Sequence, residues 1–463
     1  MDVTEKPARR SVAASARATL REVTDIASYR AVASQVKYPV GAMLISQTVL
    51  TFGLAAVLSR LLGARAFGEY AVVITIAGVF QLVAAFPVEQ GIPKFLAEAR
   101  QHGREEIGAY YAAGLWTRLA AGSAALLLAV ALSGWLGRAY RVPDLTSAIL
   151  VAALFLCLLM PISLYFLACI QGMERPRRWA TGSLVSALLV FPLAVVGALG
   201  FARWGHPGLL GCLAVGWLLA AGVCAALARG ALGFLWAGLS YRHLARLIPF
   251  LLPVWLVPLF GFGSKTIAKS YLALACGPVP VGQFEIALTL LLHMGMIHQA
   301  CMIVLLPAWA RLYARREGAA LLRSVAQARG ALIGAAIAYG AVLAVGGHWV
   351  VPAVFGPEQS GAVPAVRAIG VAMPLMISGW VASATNIVSD RTVNIGKANI
   401  VWFSLAMPVS ILLIPRLGAF GAAVGWLVAY AVFAWFYISR ARPFFREIAS
   451  WAARGVEGPA TKQ

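Results

Sequence analysis

VSALLVFPLAVVGALGF (residues 185–201) and LLGCLAVGWLLAAGVCAAL (residues 209–227) are two apolar stretches without a single charged side chain. A helix needs about 20 such residues, at a rise of about 1.5 Å each, to cross the roughly 30 Å hydrocarbon core of a membrane. Lipid offers the backbone no hydrogen-bond partners, so an uninterrupted apolar run crosses it as a helix. Similar runs follow one another along the chain, which predicts an all-α, polytopic membrane protein.

The composition of the 463 residues supports the same class. Hydrophobic residues make up 61% of the chain and charged residues only 12%, about half of the roughly 25% that is usual in soluble domains. The net charge is +21, but the basic residues lie between the apolar runs and form no continuous face, so nucleic acid is not expected as a partner. The six cysteines lie in or beside apolar runs without metal-site spacing, so no metal is expected either.

The apolar runs predict about twelve spans and the basic residues predict their orientation. We place the spans near residues 40–60, 69–88, 112–136, 146–168, 180–201, 208–228, 248–274, 282–306, 328–351, 366–388, 396–414 and 419–438. Of the 38 Lys and Arg residues, 28 lie on the side that holds both termini, 7 lie on the opposite side and three lie within spans. Because basic residues are enriched in cytoplasmic loops, both termini are predicted to be cytoplasmic.

An internal repeat divides the spans into two sets of six. The segment LGARAFGEYAVVIT (62–75) returns as CGPVPVGQFEIALT (276–289), and one constant offset in residue number pairs Gly63/Gly277, Gly68/Gly282, Tyr70/Phe284 and Thr75/Thr289. We therefore predict two parallel six-helix repeats around a central cavity, which move against each other by alternating access. The predicted domains are a cytoplasmic basic N-terminal arm (1–38), a first bundle (39–229), a cytoplasmic linker (230–247), a second bundle (248–440) and a cytoplasmic C-terminal tail (441–463).

Three segments carry a family resemblance: RLLGARAFGEYAVVITIAGVFQLVAAFPVEQGIPKFLAEAR (60–100), VFGPEQSGAVPAVRAIGVAMP (354–374) and IPRLGAFGAAVGWLVAY (414–430). Their glycine, aromatic and acidic positions, such as Leu62-Gly63, Tyr70 and Glu89-Gln90-Gly91-Ile92, resemble those of the polysaccharide-transport family. That family includes the O-antigen (lipid-linked oligosaccharide) flippases. It belongs to the multidrug/oligosaccharidyl-lipid/polysaccharide (MOP) superfamily, together with the MATE multidrug exporters and the lipid II flippase.

The resemblance implies a MATE-like fold and a transport function without catalysis. The implied cargo is a polyprenyl-diphosphate-linked oligosaccharide or polysaccharide repeat unit, moved from the cytoplasmic to the outer leaflet of the bacterial inner membrane. The implied partners are this lipid-linked substrate and the bilayer, with a glycan polymerase or export machinery left open. No cofactor is implied, and a coupling ion, H⁺ or Na⁺, also stays open.

The charged residues in the predicted seventh and eighth spans are not part of the pattern that this chain shares with the family. Lys265 and Lys269 lie one turn apart on one helix face, and a lysine near the bilayer centre costs roughly 2.5–3.5 kcal/mol on insertion scales. Lys269 and Glu285 flank the turn at 275–281 at similar depth, which predicts an ion pair. Lys265 has no evident partner, so we expect it to face the cavity and attract a diphosphate. Lys269 is a candidate for the same cavity lining, unless it only pairs with Glu285. Neutralisation of both lysines by Glu285, or snorkelling of their ammonium groups, is the alternative.

Five further residues are candidates for the same cavity. Arg60, Arg118 and Lys94 would add to its basic lining, although the last two also lie near enough to the interface to snorkel. Glu89 would bind a coupling cation or proton, or else cap the next helix. His293 would hydrogen-bond a sugar or titrate, or else pack in the core; its spacing of five from the next histidine does not suit a metal.

Two other functions compete with the flippase. A cation-coupled multidrug exporter of the MATE type is the nearest rival, and it would be expected to carry acidic residues within its first-half spans. A membrane enzyme, such as a glycan polymerase or a lipid-linked glycosyltransferase, would be expected to show a large outer loop or an acidic metal-binding motif.

Overall fold

The computed structural model describes residues 38–84, 86–140, 145–232, 240–389, 391 and 393–453. Every regular element within these ranges is helical. The predicted N-terminal arm lies outside them apart from Tyr38, as do residues 233–239 of the predicted linker and residues 454–463 of the predicted tail.

Twelve long helices and the short helix α3 build the described chain. In chain order they are α1 (38–62), α2 (64–84), α3 (Val88–Ala99), α4 (Arg104–Ala139), α5 (Thr146–Gly172), α6 (Pro176–Leu199), α7 (Phe201–Leu232), α8 (Tyr241–Cys276), α9 (Pro278–Ala314), α10 (Gly318–Phe355), α11 (Val363–Val388), α12 (393–417) and α13 (419–453). Nine helical stretches of the described residues are long and apolar enough to span a membrane. Two of these, Tyr38–Leu82 and Val393–Ala453, are each divided into two helices, at Gly63 and at Gly418. Together with α8, which is not one of the nine, they give twelve long helices. The prediction of an all-α protein with about twelve spans is confirmed.

The short helix α3 is an element that the sequence-based prediction lacks. The sequence predicts residues 88–99 as the end of the second span and a connection, but they form an amphipathic helix. Its buried face is formed by Val88, Ile92, Phe95, Leu96 and Ala99. The span ends at Ala84 and the chain restarts after Pro87, because proline removes a backbone donor and fixes φ at the first turn of the new helix.

Glycines in the left-handed region confirm the repeat. Gly63 (φ 74°) separates α1 from α2, and its repeat equivalent Gly277 (φ 82°) separates α8 from α9. Gly205 (φ 60°) and Gly418 (φ 56°) are related in the same way, at an offset that is shorter by one position. Only glycine adopts this conformation without strain. We call the side of the bundle that holds these four glycines and Gly356 the glycine-turn end, and the opposite side the terminal end.

The two repeats meet at the glycine-turn end, where Gly68 of α2 packs on Gly282 of α9. A Cβ on Gly282 would lie 3.1 Å from the Gly68 Cα, and a Cβ on Gly68 would lie 2.5 Å from the Pro278 carbonyl oxygen. Equivalent positions of the repeat thus pack on each other where the two halves meet. Glu358 adds a contact here, accepting a hydrogen bond of 3.1 Å from the Ala64 backbone N–H.

Helix α8 connects the two halves at the terminal end. Its first turns are buried with the first half, since Leu247 and Leu251 belong to the same apolar cluster as residues of α3, α4, α5 and α7. Residues 241–247, which the sequence analysis assigns to the linker, are the start of this helix. Farther along, Ala268 and Leu272 join the larger cluster that contains most of the second half.

Exposed tryptophans mark the two levels at which the bundle meets the membrane interfaces. Trp116 and Trp135 are both exposed on α4, and their separation in sequence corresponds to about 28 Å along a helix. This length matches the roughly 30 Å of a bilayer core, and tryptophan is enriched at its borders. Trp116 therefore marks the terminal-end interface and Trp135 the glycine-turn interface.

Candidate functional site

The candidate site is a cluster of two lysines and one carboxylate on the helical hairpin α8–α9. Lys269 precedes Gly277 by as many positions as Glu285 follows it, so both are about 12 Å from the turn. The Lys269 Nζ donates a hydrogen bond of 2.7 Å to the Glu285 Oε2. Lys269 is 3% exposed, so this ammonium is held inside the protein.

Lys265 contacts the same carboxylate more loosely. Its Nζ is 3.7 Å from the Glu285 Oε1, and its side chain is 22% exposed, against 3% for Lys269. The expectation that Lys265 lacks a partner is therefore corrected, because the shared carboxylate has one oxygen for each lysine. Two ammonium groups and one carboxylate leave the cluster with a formal charge of +1.

The cluster lies on two helices of the second half, α8 and α9, which both contact α2 of the first half. A Cβ on Gly282, three positions before Glu285 on α9, would lie 3.1 Å from the Gly68 Cα of α2. Helix α8 also contacts α2, because a Cβ on Gly263 would lie 3.8 Å from the Leu82 Cδ2.

Arg118 and Glu89 form a second ion pair, in the first half. The Arg118 Nη1 is 3.3 Å from the Glu89 Oε1, and the arginine side chain is 2% exposed. Its guanidinium also donates to two backbone carbonyls, Phe86 at 3.2 Å and Cys157 at 3.5 Å. Cys157 lies in a π-helical turn, Phe155–Leu159, and Phe86 lies in the break between α2 and α3.

These contacts explain why the sequence does not predict the first-half pair. Arg118 and Glu89 are each expected separately in the cavity, but they bind each other and the irregular backbone around them. A π-turn and an interhelical break both disturb the regular backbone hydrogen-bond ladder, and sequence periodicity shows neither feature. The Arg118 guanidinium therefore has protein groups on two sides, and Glu89 has a cation 3.3 Å away.

Arg60 and Lys94 lie at opposite ends of the bundle, away from the lysine cluster. The Arg60 guanidinium donates hydrogen bonds to the carbonyls of Val354, at 2.8 Å, and Ala353 at the last turn of α10. It thus satisfies carbonyls that a helix end leaves free and joins the two halves at the glycine-turn end. Lys94 is exposed at the terminal end, and its Nζ lies 4.5 Å from the centroid of the Phe250 ring.

His293 lies between α1 and α10. Its ring centroid is 5.5 Å from that of Phe52 and 6.4 Å from that of Tyr339. The ring is partly exposed, and its Nδ1 has no hydrogen-bond partner among the described residues. This is a packed position with one free polar atom, on the same helix as Glu285.

The match to one known protein family shows to which family the chain belongs. Residues 40–313 match the family described as polysaccharide biosynthesis protein, which is more than half of the chain. The chain belongs to the polysaccharide biosynthesis protein family. A search of curated protein sequences returned no significant match.

Solved structures place this polysaccharide biosynthesis protein in the fold of the MOP superfamily. It resembles a multidrug resistance MATE family transporter in an inward-facing conformation, with a TM-score of 0.72 and 14% identity, covering 87% of this chain and 96% of that one. The lipid II flippase MurJ, in an inward closed conformation, has a TM-score of 0.67 and 12% identity, with 89% of each chain covered. A MOP superfamily transporter from Pyrococcus furiosus, described by the reverse polarity of its binding pocket, has a TM-score of 0.59 and 15% identity, with 90% and 96% covered. The predicted family and the predicted MATE-like fold are confirmed.

Because two lysines share the Glu285 carboxylate, we expect its removal to lower the stability of this polysaccharide biosynthesis protein strongly. Glu285→Gln should lower the free energy of unfolding in detergent–SDS micelles by about 3–5 kcal/mol, because it leaves two lysines without compensation. A double-mutant cycle with Lys269→Met should give a coupling energy of about 1–3 kcal/mol. Glu98→Gln is the matched control, since its pair with Lys94 is exposed at 3.9 Å and should change stability by less than about 0.5 kcal/mol. Additive effects of Lys269→Met and Glu285→Gln would show that the two residues are not coupled.

Proposed function

We propose that this protein translocates a polyprenyl-diphosphate-linked oligosaccharide, or a polysaccharide repeat unit such as that of an O-antigen, across the bacterial inner membrane. The substrate moves from the cytoplasmic to the outer leaflet by alternating access, without a covalent step. The observation that carries the proposal is the excess ammonium group of the lysine cluster, which lies on helices of the second half that contact the first half.

The two lysines have different roles in this proposal. Lys269 is buried and bonded to Glu285 at 2.7 Å, so it compensates the carboxylate permanently. Lys265 is 3.7 Å from the same group and partly exposed, so its ammonium can turn toward a substrate without leaving a bare carboxylate behind. A diphosphate offers several charged acceptors, and charge-assisted hydrogen bonds are roughly twice as strong as neutral ones.

The depth of Lys265 suits recognition of a headgroup during its passage. Its distance from Gly277 in sequence places it about 18 Å from the glycine-turn end, near the middle of the bilayer core. A lysine at that depth is costly, and an anion that visits the site compensates the cost. The repeat-related position is Thr51, so only the second half presents this charge.

The packing of the two halves supports alternating access. Contacts across the halves at the glycine-turn end join Gly68 to Gly282, Arg60 to Val354 and Glu358 to Ala64. These contacts close that end, and a transporter of two repeats opens one end while it closes the other. MurJ, a protein of the same fold, is described as a lipid II flippase, and we extend that type of transport to this chain.

A cation-coupled multidrug exporter is the second candidate, favoured by the likeness to the MATE family transporter. Two observations weigh against it. The lysine cluster has a formal charge of +1, which repels an organic cation. Glu89, the acidic residue of the first half that would hold H⁺ or Na⁺, already has Arg118 at 3.3 Å.

The distribution of basic residues supports an orientation with the terminal end in the cytoplasm. The terminal side holds 28 of the 38 Lys and Arg residues and the glycine-turn side holds 7, and this bias follows the positive-inside rule. Substrate would therefore enter from the terminal end and leave at the glycine-turn end, where a glycan polymerase or export machinery would receive it.

Cysteine labelling in whole cells tests this orientation. In a cysteine-free variant, Ala202→Cys and Ser360→Cys, both exposed at the glycine-turn end, should react with an impermeant maleimide added outside. His102→Cys and Arg177→Cys, exposed at the terminal end, should react only after the cells are permeabilised. The opposite labelling pattern would reverse the proposed direction of transport.

The role of Lys265 is tested in proteoliposomes. Lys265→Ala should lower the initial rate of translocation of a fluorescent polyprenyl-diphosphate oligosaccharide at least tenfold, because the diphosphate loses its ammonium partner. Lys265→Arg, which keeps the charge, should retain part of the rate. Lys94→Ala is the control for loss of a lysine, since Lys94 lies exposed at the terminal end, and should translocate at the wild-type rate.

Two results would contradict the proposal. One is a wild-type rate in Lys265→Ala at equal protein incorporation and helical circular dichroism. The other is transport of an organic cation such as tetraphenylphosphonium by the wild type, without any translocation of the lipid-linked oligosaccharide.

A further inference from the structure

A groove on the second half lies outside the candidate site. It has a volume of about 590 Å³ and runs along α10 beside Phe445 of α13. Its lining is apolar except for one cation, Arg329. The lining residues are Leu322, Val325, Ala326, Arg329, Gly330, Ile333, Gly334, Ile337 and Phe445. All of them belong to the second half, so the groove is separate from the interface between the halves, and its volume is within the range of about 300–1,000 Å³ of ligand sites.

The groove extends from the membrane interface into the hydrocarbon. Trp349 is exposed near the glycine-turn end of α10, and Arg329 lies far enough before it in the helix to be separated by about 30 Å, the thickness of the bilayer core. Arg329 is therefore at the headgroup level of the terminal end. Ile337, farther along the same helix, is about 12 Å deeper among the acyl chains.

Two glycines shape the floor of the groove. Gly330 and Gly334 lie one turn apart on α10, and a Cβ on either would meet no atom within 4 Å. The helix surface there is open to whatever lies beside it in the membrane. Within the described residues, Arg329 has no ion-pair partner either, although it is the one charged residue that lines the groove.

The charge of the groove decides between two occupants. A Gly-x-x-x-Gly pair in a membrane helix is typical of dimerisation faces, but a second copy packed on these glycines would bring two Arg329 side chains together without a carboxylate. A lipid phosphate instead complements the arginine, and basic pockets between membrane helices bind anionic lipid headgroups. We propose that this groove is a binding site for one anionic phospholipid, with its phosphate on Arg329 and an acyl chain along Gly330 and Gly334.

The proposal is tested by native mass spectrometry of the purified full-length protein with added phosphatidylglycerol or phosphatidylcholine of equal chain length. The wild type should bind phosphatidylglycerol more tightly. Arg329→Gln should weaken that binding about fivefold, the effect expected of one basic residue near a membrane surface. Gly334→Leu should abolish it by filling the groove, and neither variant should alter phosphatidylcholine binding as strongly.

Matched controls are available on α7 and α4. Arg229→Gln removes an exposed arginine at the same end of the bundle, and Gly134→Leu fills a helix surface where a Cβ would also meet no atom within 4 Å. Both should bind phosphatidylglycerol like the wild type.

The proposal would be overturned if Arg329→Gln and Gly334→Leu bound phosphatidylglycerol as tightly as the wild type while keeping wild-type helical circular dichroism. A dimer of the wild type that dissociates in Gly334→Leu would also overturn it, as would binding of a polyprenyl diphosphate in place of the phospholipid. None of these outcomes bears on the lysine cluster.

Discussion

One carboxylate inside an apolar bundle has to compensate two ammonium groups, and the rest of the candidate site is arranged around that constraint. Glu285 accepts a bond of 2.7 Å from Lys269 and lies 3.7 Å from Lys265. A buried charge without a partner destabilises a protein by several kcal/mol, so Glu285 cannot be withdrawn from both lysines. In the proposed function, the unequal distances make Lys265 the group that exchanges its partner for a substrate anion.

The scaffold around this cluster is symmetric, whereas its charges are not. Positive-φ glycines recur at equivalent positions of the two repeats and set the same turns in both halves. The repeat equivalents of Lys265 and Glu285 are Thr51 and Ala71, and those of Arg118 and Glu89 are Leu332 and Ile303. Each half therefore has its own ion pair on a shared frame. The first-half pair is formally neutral, and its arginine also donates to the backbone. The second-half cluster has a formal charge of +1.

The sequence was sufficient for features that depend on length and depth along a helix. Apolar runs predicted the twelve spans, glycine spacing predicted the repeat, and equal distance from Gly277 predicted that Lys269 and Glu285 meet. It was insufficient for features that depend on rotation about helix axes and on irregular backbone. The sharing of Glu285 by Lys265 requires knowledge of how α8 faces α9, and the Arg118–Glu89 pair requires the π-turn at 155–159. The sequence predicts Arg60 in the cavity because it shows the charge of this side chain. It does not show the carbonyls at the end of α10 to which the guanidinium donates.

The central claim is that Lys265 recognises a diphosphate, and ligand binding without transport tests it most directly. The measurement is the equilibrium affinity of the purified protein in nanodiscs for farnesyl diphosphate, compared with farnesyl monophosphate, for the wild type and Lys265→Ala. The diphosphate should bind about tenfold more tightly to the wild type, because an added charged acceptor contributes about 1.5–3 kcal/mol before competing costs. The preference should disappear in Lys265→Ala. Equal affinities for the two lipids in the wild type, or an unchanged preference in the variant, would contradict the claim.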